Sequence, residues 1–240
     1  ALPICLAMKK LALASTALIA GILSASAQSL ELVVDDFTDS DTPPLVVNQV
    51  TLGPLTSTVS GSMLGGERDI SLEYLGGTLP GRNSTVDISG GAYTWSNDSD
   101  NQSQAFIYWD GTSGGGLDGY ALGEDVSAFQ NFSVDVPFAD ANAFAFTIGF
   151  YNDAANFTRI TLISDGSSGT VNFDLASWEN PVPGCGGSDV PGGVLSVECG
   201  AGDATVDFDE TLGAIEFGFL SLIGGVDLDI DNVRFTVPTP

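Results

Sequence analysis

Gly225-Val226-Asp227-Leu228-Asp229-Ile230-Asp231-Asn232-Val233-Arg234-Phe235, near the end of the 240-residue chain, sets Val226, Leu228 and Ile230 against Asp227, Asp229 and Asp231 in strict alternation. A period of two belongs to a β-strand with one face buried and the other in water. After Asp231-Asn232 the apolar residues change parity, to Val233 and Phe235. A strand accommodates such a change only through a bulge or by passing between two packed sheets. The stretch therefore predicts a β-sandwich.

Outward from it, short apolar runs broken by Gly, Pro, Asn and Asp continue through the chain. They predict strands over 32–37, 45–52, 70–75, 85–89, 92–96, 105–109, 132–138, 143–151, 158–164, 170–176, 194–197, 204–208, 214–222 and 226–236. No long stretch has helical period, and no repeat of fixed length is present. Phe144, Phe146, Ile148 and Phe150 share one face, opposite Ala145, Thr147 and Gly149, so this strand is expected at the centre with its aromatic side in the core. Ile215, Phe217 and Phe219 form a similar face, as do Val171, Phe173 and Leu175. The expected class is all-β: a two-sheet antiparallel sandwich, jelly-roll-like, in one domain over 28–236.

The start of the chain reads as a secretory signal. Met8-Lys9-Lys10 is followed by an apolar run over 11–23 and the small residues Ala25-Ser26-Ala27, which predicts cleavage before Gln28, with 1–7 as upstream sequence. The run is too short for a membrane span. Export to the cell surface or medium is the expectation. The formal charge is −25, and both lysines lie in the leader, so only Arg68, Arg82, Arg159 and Arg234 face 31 acidic residues afterwards. Such a surface repels nucleic acid and anionic lipid and attracts divalent cations. The absence of histidine removes the commonest general base and zinc ligand. In an exported chain, Cys185 and Cys199 in a Gly/Pro-rich loop read as a disulfide, contributing about 3 kcal/mol in the chain-entropy model.

Three chemistries fit the remaining residues. Ca²⁺ takes six to eight oxygen ligands; Asp35 and Asp36 end the first strand, and Asp229, Asp231 and Asn232 lie in the last. First and last strands of a jelly-roll are commonly neighbours, so these five are candidate ligands of a structural Ca²⁺. Sugar stacking needs flat apolar rings. Tyr93 and Trp95 share one strand face, Tyr108 and Trp109 fall on opposite faces of another, and Trp178 lies near a strand end; Tyr93, Trp95, Trp109 and Trp178 are the candidate sugar contacts, with core packing as the plainer reading. Glycoside hydrolysis needs two suitably spaced carboxylates, and Glu67, Glu73, Glu179 and Glu216 are available without any pair standing out. No catalytic residue is assigned. In Gly65-Gly66-Glu67-Arg68-Asp69 the glycines predict a tight turn, and Arg68 a structural pairing with carboxylates or carbonyls.

Val34-Asp35-Asp36-Phe37, the turn over 65–69, and Asp231-Asn232-Val233-Arg234-Phe235 followed by Val237-Pro238-Thr239-Pro240 resemble exported bacterial proteins of the PEP-CTERM class. The resemblance implies a sandwich followed by a sorting tail processed by an exosortase. Thr239 stands where that class has Glu, and 237–240 is expected to be the start of a truncated tail. The Asp-Asp-Phe opening and the Ile-Asp-Asn-Val closing also resemble jelly-roll carbohydrate-binding modules, which implies Asp36 and Asp231 in a structural calcium site. The leading expectation is a secreted or surface non-enzymatic sandwich acting by interaction or self-assembly, with polysaccharide or other matrix proteins as partners. A calcium-stabilised carbohydrate-binding module and a matrix glycosidase stay open as alternatives.

Overall fold

The computed structural model describes residues 30–140, 142, 144–164, 166–179, 182–185 and 193–237. The predicted leader, its cleavage site, most of the 181–191 loop and the last three residues lie outside these. One layer is a seven-stranded antiparallel sheet in the order β13 (Val194–Cys199), β11 (Phe157–Ile163), β10 (Phe144–Tyr151), β14 (Ala214–Ser221), β7 (Gln102–Trp109), β4 (Glu67–Gly76) and β3 (Leu55–Ser60). The other layer has two parts. A four-stranded sheet runs β1 (Glu31–Asp35), β16 (Asn232–Thr236), β8 (Asn131–Val136), β12 (Gly169–Asp174). A five-stranded sheet runs β2 (Asp41–Val47), β5 (Ser84–Ser89), β6 (Ala92–Asn97), β15 (Asp227–Ile230), β9 (Phe138–Ala139). The architecture is the expected all-β, antiparallel, jelly-roll-like sandwich.

Strand parity builds the core. Ile70, Ile107, Phe217 and Ile148 stand opposite one another across β4, β7, β14 and β10, a row of inward side chains. Both halves of the second layer pack onto this face. From the five-stranded part, Tyr93 and Trp95 lie 5.5 and 5.8 Å from the Phe219 ring. From the four-stranded part, Phe132 and Phe235 lie 5.1 and 6.2 Å from Phe150, with Trp178 and Phe208 at 5.1 and 5.3 Å. Burying each such ring stabilises the fold by roughly 1.5–3 kcal/mol.

The change of parity at Asp231 now has its cause. The chain leaves the five-stranded sheet after Ile230 and enters the four-stranded sheet at Asn232, and Val226, Leu228, Ile230, Val233 and Phe235 are all buried. β8 and β9 break at the same level, at Pro137, which has no N–H to give a ladder. The Asp231 amide donates to the Asp135 carbonyl at 3.0 Å and ties the two breaks together.

Arg68 shares parity with Ile70 and Leu72 and so enters the core. It pairs with Asp35 at 2.7 Å, donates to the Asp39 carbonyl at 2.6 Å and lies over the Phe37 ring. The structural pairing expected for this residue is present, with Asp35 of β1 as partner in place of the flanking Glu67 and Asp69. Glycines at 65 and 66, both at φ 77°, make the turn that delivers it.

The strand expected over 45–52 lies instead at Asp41–Val47, and two further strand expectations are corrected. β3 was not anticipated: Leu55, Ser57 and Val59 of its Leu-Thr-Ser-Thr-Val-Ser run share the inward, half-buried side, and only two of these are apolar, as suits an edge strand. Residues 204–208 form no strand. The Val206, Asp207 and Phe208 amides instead donate to Thr158 Oγ1, Asn152 Oδ1 and Glu179 Oε1, so side chains satisfy backbone groups that a ladder otherwise would. Cys185 and Cys199 form the expected disulfide, their Cα atoms 5.7 Å apart, and anchor the edge strand β13.

Candidate functional site

The sequence candidates scatter when placed in the fold. Tyr93, Trp95 and Trp109 are 0% exposed and Trp178 is 2% exposed. All four rings are enclosed in the core, because each has the inward parity or packs against Phe150, and none presents a face to a sugar. Asp35 is likewise enclosed: Oδ2 accepts from Arg68 and from Trp109 Nε1 at 2.9 Å, and Oδ1 accepts from the Phe37 amide at 2.8 Å. Asp36 is exposed and holds Thr38. β1 and β16 are neighbours, as expected, yet Asp35 faces the core while Asp229 lies beside Thr94 and Phe138 in the other part of the layer. Asp231 is exposed and Asn232 stands opposite Asp135. The five oxygen-bearing side chains thus do not fit a common Ca²⁺ shell. Among the described residues no three His, Cys, Asp or Glu side chains converge to hold a metal.

A different surface does bring groups together: the outer face of the seven-stranded sheet. One transverse row runs through paired positions of every strand from β3 to β13: Thr56, Ser71, Phe106, Gly218, Thr147, Thr161 and Ser196. Two residues along, a second row runs Thr58, Asp69, Tyr108, Glu216, Gly149, Arg159 and Glu198. At the usual inter-strand spacing each row is about 29 Å long. The first holds hydroxyls and one ring and carries no charge. Thr147 and Thr161 hydroxyls bond to each other at 2.9 Å.

The two glycines make room for rings. A Cβ on Gly218 would come within 2.5 Å of the Phe106 ring, and one on Gly149 within 2.7 Å of the Tyr151 ring, so both rings lie down against the sheet. Phe106 and Tyr108 are near-parallel, 15° between planes with centroids 5.8 Å apart, and both are half-buried. Tyr151 and Phe157 form a second near-parallel pair at 5.1 Å, flanked by Tyr120.

The one cation of the second row is matched by two carboxylates. Glu216, 4% exposed, accepts from Tyr151 Oη at 2.5 Å and from Arg159 Nε at 3.0 Å. Arg159 also holds Glu198 at 2.9 Å. Burial works against the Arg159 charge, but the Glu216 and Glu198 carboxylates outweigh it and hold its pKa above the ordinary guanidinium value. Burial, then the nearby Glu216 charge, pushes the Tyr108 and Tyr151 hydroxyls well up, so both stay protonated. Burial also pushes Asp69 up, against hydrogen bonds from Thr58 and the Gly115 and Gly114 amides.

Asp69 and Glu216 flank Tyr108 two strands apart, about 10 Å between backbones. A glycosidase pair needs one carboxyl free to give a proton and another free to attack or activate water. Here Asp69 is closed over by Thr58 and the 114–115 amides, and Glu216 by Arg159 and Tyr151. Glu73 is bonded to Gln104 Nε2 at 2.5 Å, Glu179 to the Phe208 amide at 2.9 Å and Glu67 to Ser60 at 3.2 Å. What the face offers is rings for stacking and hydroxyls for hydrogen bonding.

The 111–119 loop walls one end. Asp110, 1% exposed, accepts from the Thr112 amide and hydroxyl and the Asp118 and Gly119 amides, all within 3.0 Å. Gly115 then lies against Thr56, with Phe106, Tyr108 and Glu73 lining a cleft of about 250 Å³ beside it. Of the two rings expected on opposite faces of β7, Trp109, the candidate sugar contact, is the buried one, and Tyr108 lies on this face. The available signal was parity: Phe106 and Tyr108 alternate with Ala105, Ile107 and Trp109, so aromatic rings occupy the side that water should have.

No protein-family model matches the sequence, and no curated protein matches it. Among solved structures, the chain is similar to a family 11 carbohydrate-binding module from Clostridium thermocellum in complex with a β-1,3-1,4-mixed-linked tetrasaccharide, with a TM-score of 0.39 and 15% identity over 88% of this chain and 98% of that one. It is similar to a family 12 xyloglucanase from Bacillus licheniformis, with a TM-score of 0.38 and 11% identity over 77% of this chain and 100% of that one. It is also similar to an agarase, with a TM-score of 0.35 and 12% identity over 70% of this chain and 24% of that one.

Proposed function

We propose that this is a secreted or cell-surface, non-enzymatic β-sandwich that binds a polysaccharide on the outer face of its seven-stranded sheet. The observation that carries the reading is the uncharged row of hydroxyls, with the Phe106 ring laid down over Gly218, beside a second row whose only cation is already matched. Sugar rings offer apolar C–H faces and a rim of hydroxyls; flat aromatic rings meet the former and Ser, Thr and carboxylate oxygens the latter. A face of this width holds several sugar units at once and so suits a polymer.

The test is a screen of the secreted protein against a glycan array and insoluble polysaccharides, followed by calorimetry on any hit. Tyr108→Ala and Phe106→Ala should each weaken binding by about tenfold, near 1.4 kcal/mol, while circular dichroism shows each variant still folded at the assay temperature. Silence across the screen, or equal binding by both variants, would sink the proposal.

Self-assembly has its own support. Val50 is 90% and Leu52 61% exposed, and Leu75, Leu79, Leu222 and Ile223 are exposed as well. Their loops meet at one end of the sandwich: the Tyr74 amide donates to the Leu52 carbonyl, Gln49 to the Gly77 carbonyl, the Leu79 amide to Asp100 and Gln102 to the Leu222 carbonyl. Sedimentation velocity over a hundredfold concentration range decides this second reading, and Val50→Asp with Leu52→Asp should abolish any oligomer found.

A further inference from the structure

A cavity of about 300 Å³ enters the sandwich between β11 on one layer and β8, β9 and β12 on the other. It is separate from the outer-face rows, since its walls are inward-facing residues of both layers. Phe144, Phe146, Phe173, Phe217 and Phe219 give it five aromatic walls, and Ser164 and Ser167 are the polar side chains among the described residues that line it. Its rim includes the exposed Ile163 and the half-buried Leu162, Val136 and Val171.

The packing here differs from the rest of the core. Phe146 has the inward parity of Ile148 and Phe150, yet it stays half-exposed while they are fully buried. Its nearest rings, Phe173 and Phe217, stand 6.1 and 6.4 Å away, against 5.1 Å for Phe150 and Phe132. Apolar walls left without partners forfeit dispersion contacts. A pocket with so few polar groups holds water poorly: an apolar cavity of half this volume stays dry and takes up benzene. The size falls at the lower end of the range for small-molecule sites.

Charge narrows the ligand class. Arg68 is spent in the core on Asp35, Arg159 on the outer face on Glu216 and Glu198, and Arg234 on Asp135 and Glu31. Arg82 lies in the turn after β4, beside Asp100. None lines the cavity, so an anionic head group at its mouth would meet no counter-charge in a strongly acidic protein. We propose that this cavity is a second binding site, for a small, uncharged, ring-bearing hydrophobe about the size of two fused or linked aromatic rings. The phenylalanine walls offer edge-to-face contacts to such a ligand.

Titration with N-phenyl-1-naphthylamine, a neutral fluorescent probe, tests it on the folded full-length secreted protein. One saturable site and a rise in melting temperature with probe concentration are expected. Val171→Trp and Val136→Phe, which fill the cavity from two strands, should each weaken binding at least tenfold, while Tyr108→Ala on the outer face leaves it unchanged. Decanoate, apolar but anionic, should compete at least tenfold more weakly than neutral naphthalene. Absence of saturable binding, or wild-type affinity in both filled variants, would overturn the site. Equal competition by decanoate would overturn its preference for uncharged ligands.

Discussion

Arg68 shows how far a single residue can be read. One of four arginines outside the predicted leader, it was expected to be structural, and its parity with Ile70 and Leu72 sends it inward. Its partner was not legible, because Asp35 is 33 positions away and only the pairing of layers brings it near. The same contact removes Asp35 from the calcium set proposed from sequence, since both its oxygens are already taken. Breaking a buried pair strands a charge in a poorly solvating medium, which costs about 3–5 kcal/mol. Arg68→Ala should therefore lower unfolding free energy by that amount in urea titration, and a loss below about 1 kcal/mol would show that Asp35 finds another partner or water. Asp135 makes a milder case. Hydrogen bonds from Arg234, the first cause, and then Thr170, overcome its partial burial and hold its pKa below the usual carboxylate value of 3.8. A lowered folded-state pKa adds stability above the unfolded value and loses it as pH falls through the folded one. Asp135→Asn should thus cost up to about 1 kcal/mol at pH 6, and the deficit should shrink as pH falls below the usual carboxylate value and the folded-state carboxyl takes up its proton; a deficit independent of pH would mean packing, not charge, is responsible.

Among elements, those with a strong alternating pattern were legible and those held by side chains were not. β10 and β14 could be read from their phenylalanines alone, and the sandwich followed from the parity change at Asp231. β3 escaped because an edge strand needs only every second residue half-buried, and Thr and Ser fill the rest. Residues 204–208 misled in the other direction: Val206 and Phe208 alternate like a strand, but Thr158, Asn152 and Glu179 capture the backbone amides. The proposed binding face shows the same limit. Each of its rows takes one residue from each of seven strands, so no window of sequence contains it, and only the register assembles it. At this scale the disulfide gives a direct test. It closes a loop with a sequence separation of 14, and loops of that length are worth about 3 kcal/mol by restricting the unfolded chain. Cys185→Ser with Cys199→Ser should lower stability by about that much in guanidinium titration. Wild type should match the double variant once reduced, whereas a much larger loss would indicate that β13 detaches from β11.

For the molecule as a whole, charge and shape together define what it can approach. The chain carries thirty-one acidic residues, and three of its described arginines, Arg68, Arg159 and Arg234, are already paired with carboxylates. A polymer carrying carboxylates or sulfates would meet long-range repulsion and no free guanidinium on the outer face. A neutral polymer meets hydroxyls and rings, whose contacts act only at short range and do not feel added salt. These two physical origins separate cleanly in one experiment. Affinity for a neutral polysaccharide should change less than twofold between 0.05 and 0.5 M NaCl, because screening acts on charges farther apart than the Debye length, about 14 Å at the lower salt and about 4 Å at the higher. Uronate or sulfate polymers should show no binding at 0.05 M, since repulsion is least screened there. Strong binding of an anionic polymer at low salt that fades as salt is added would require an exposed cationic patch, and would move the ligand away from the Phe106 and Tyr108 face altogether. Calorimetry at the two salt concentrations therefore tests the charge argument and the location of the site in a single comparison.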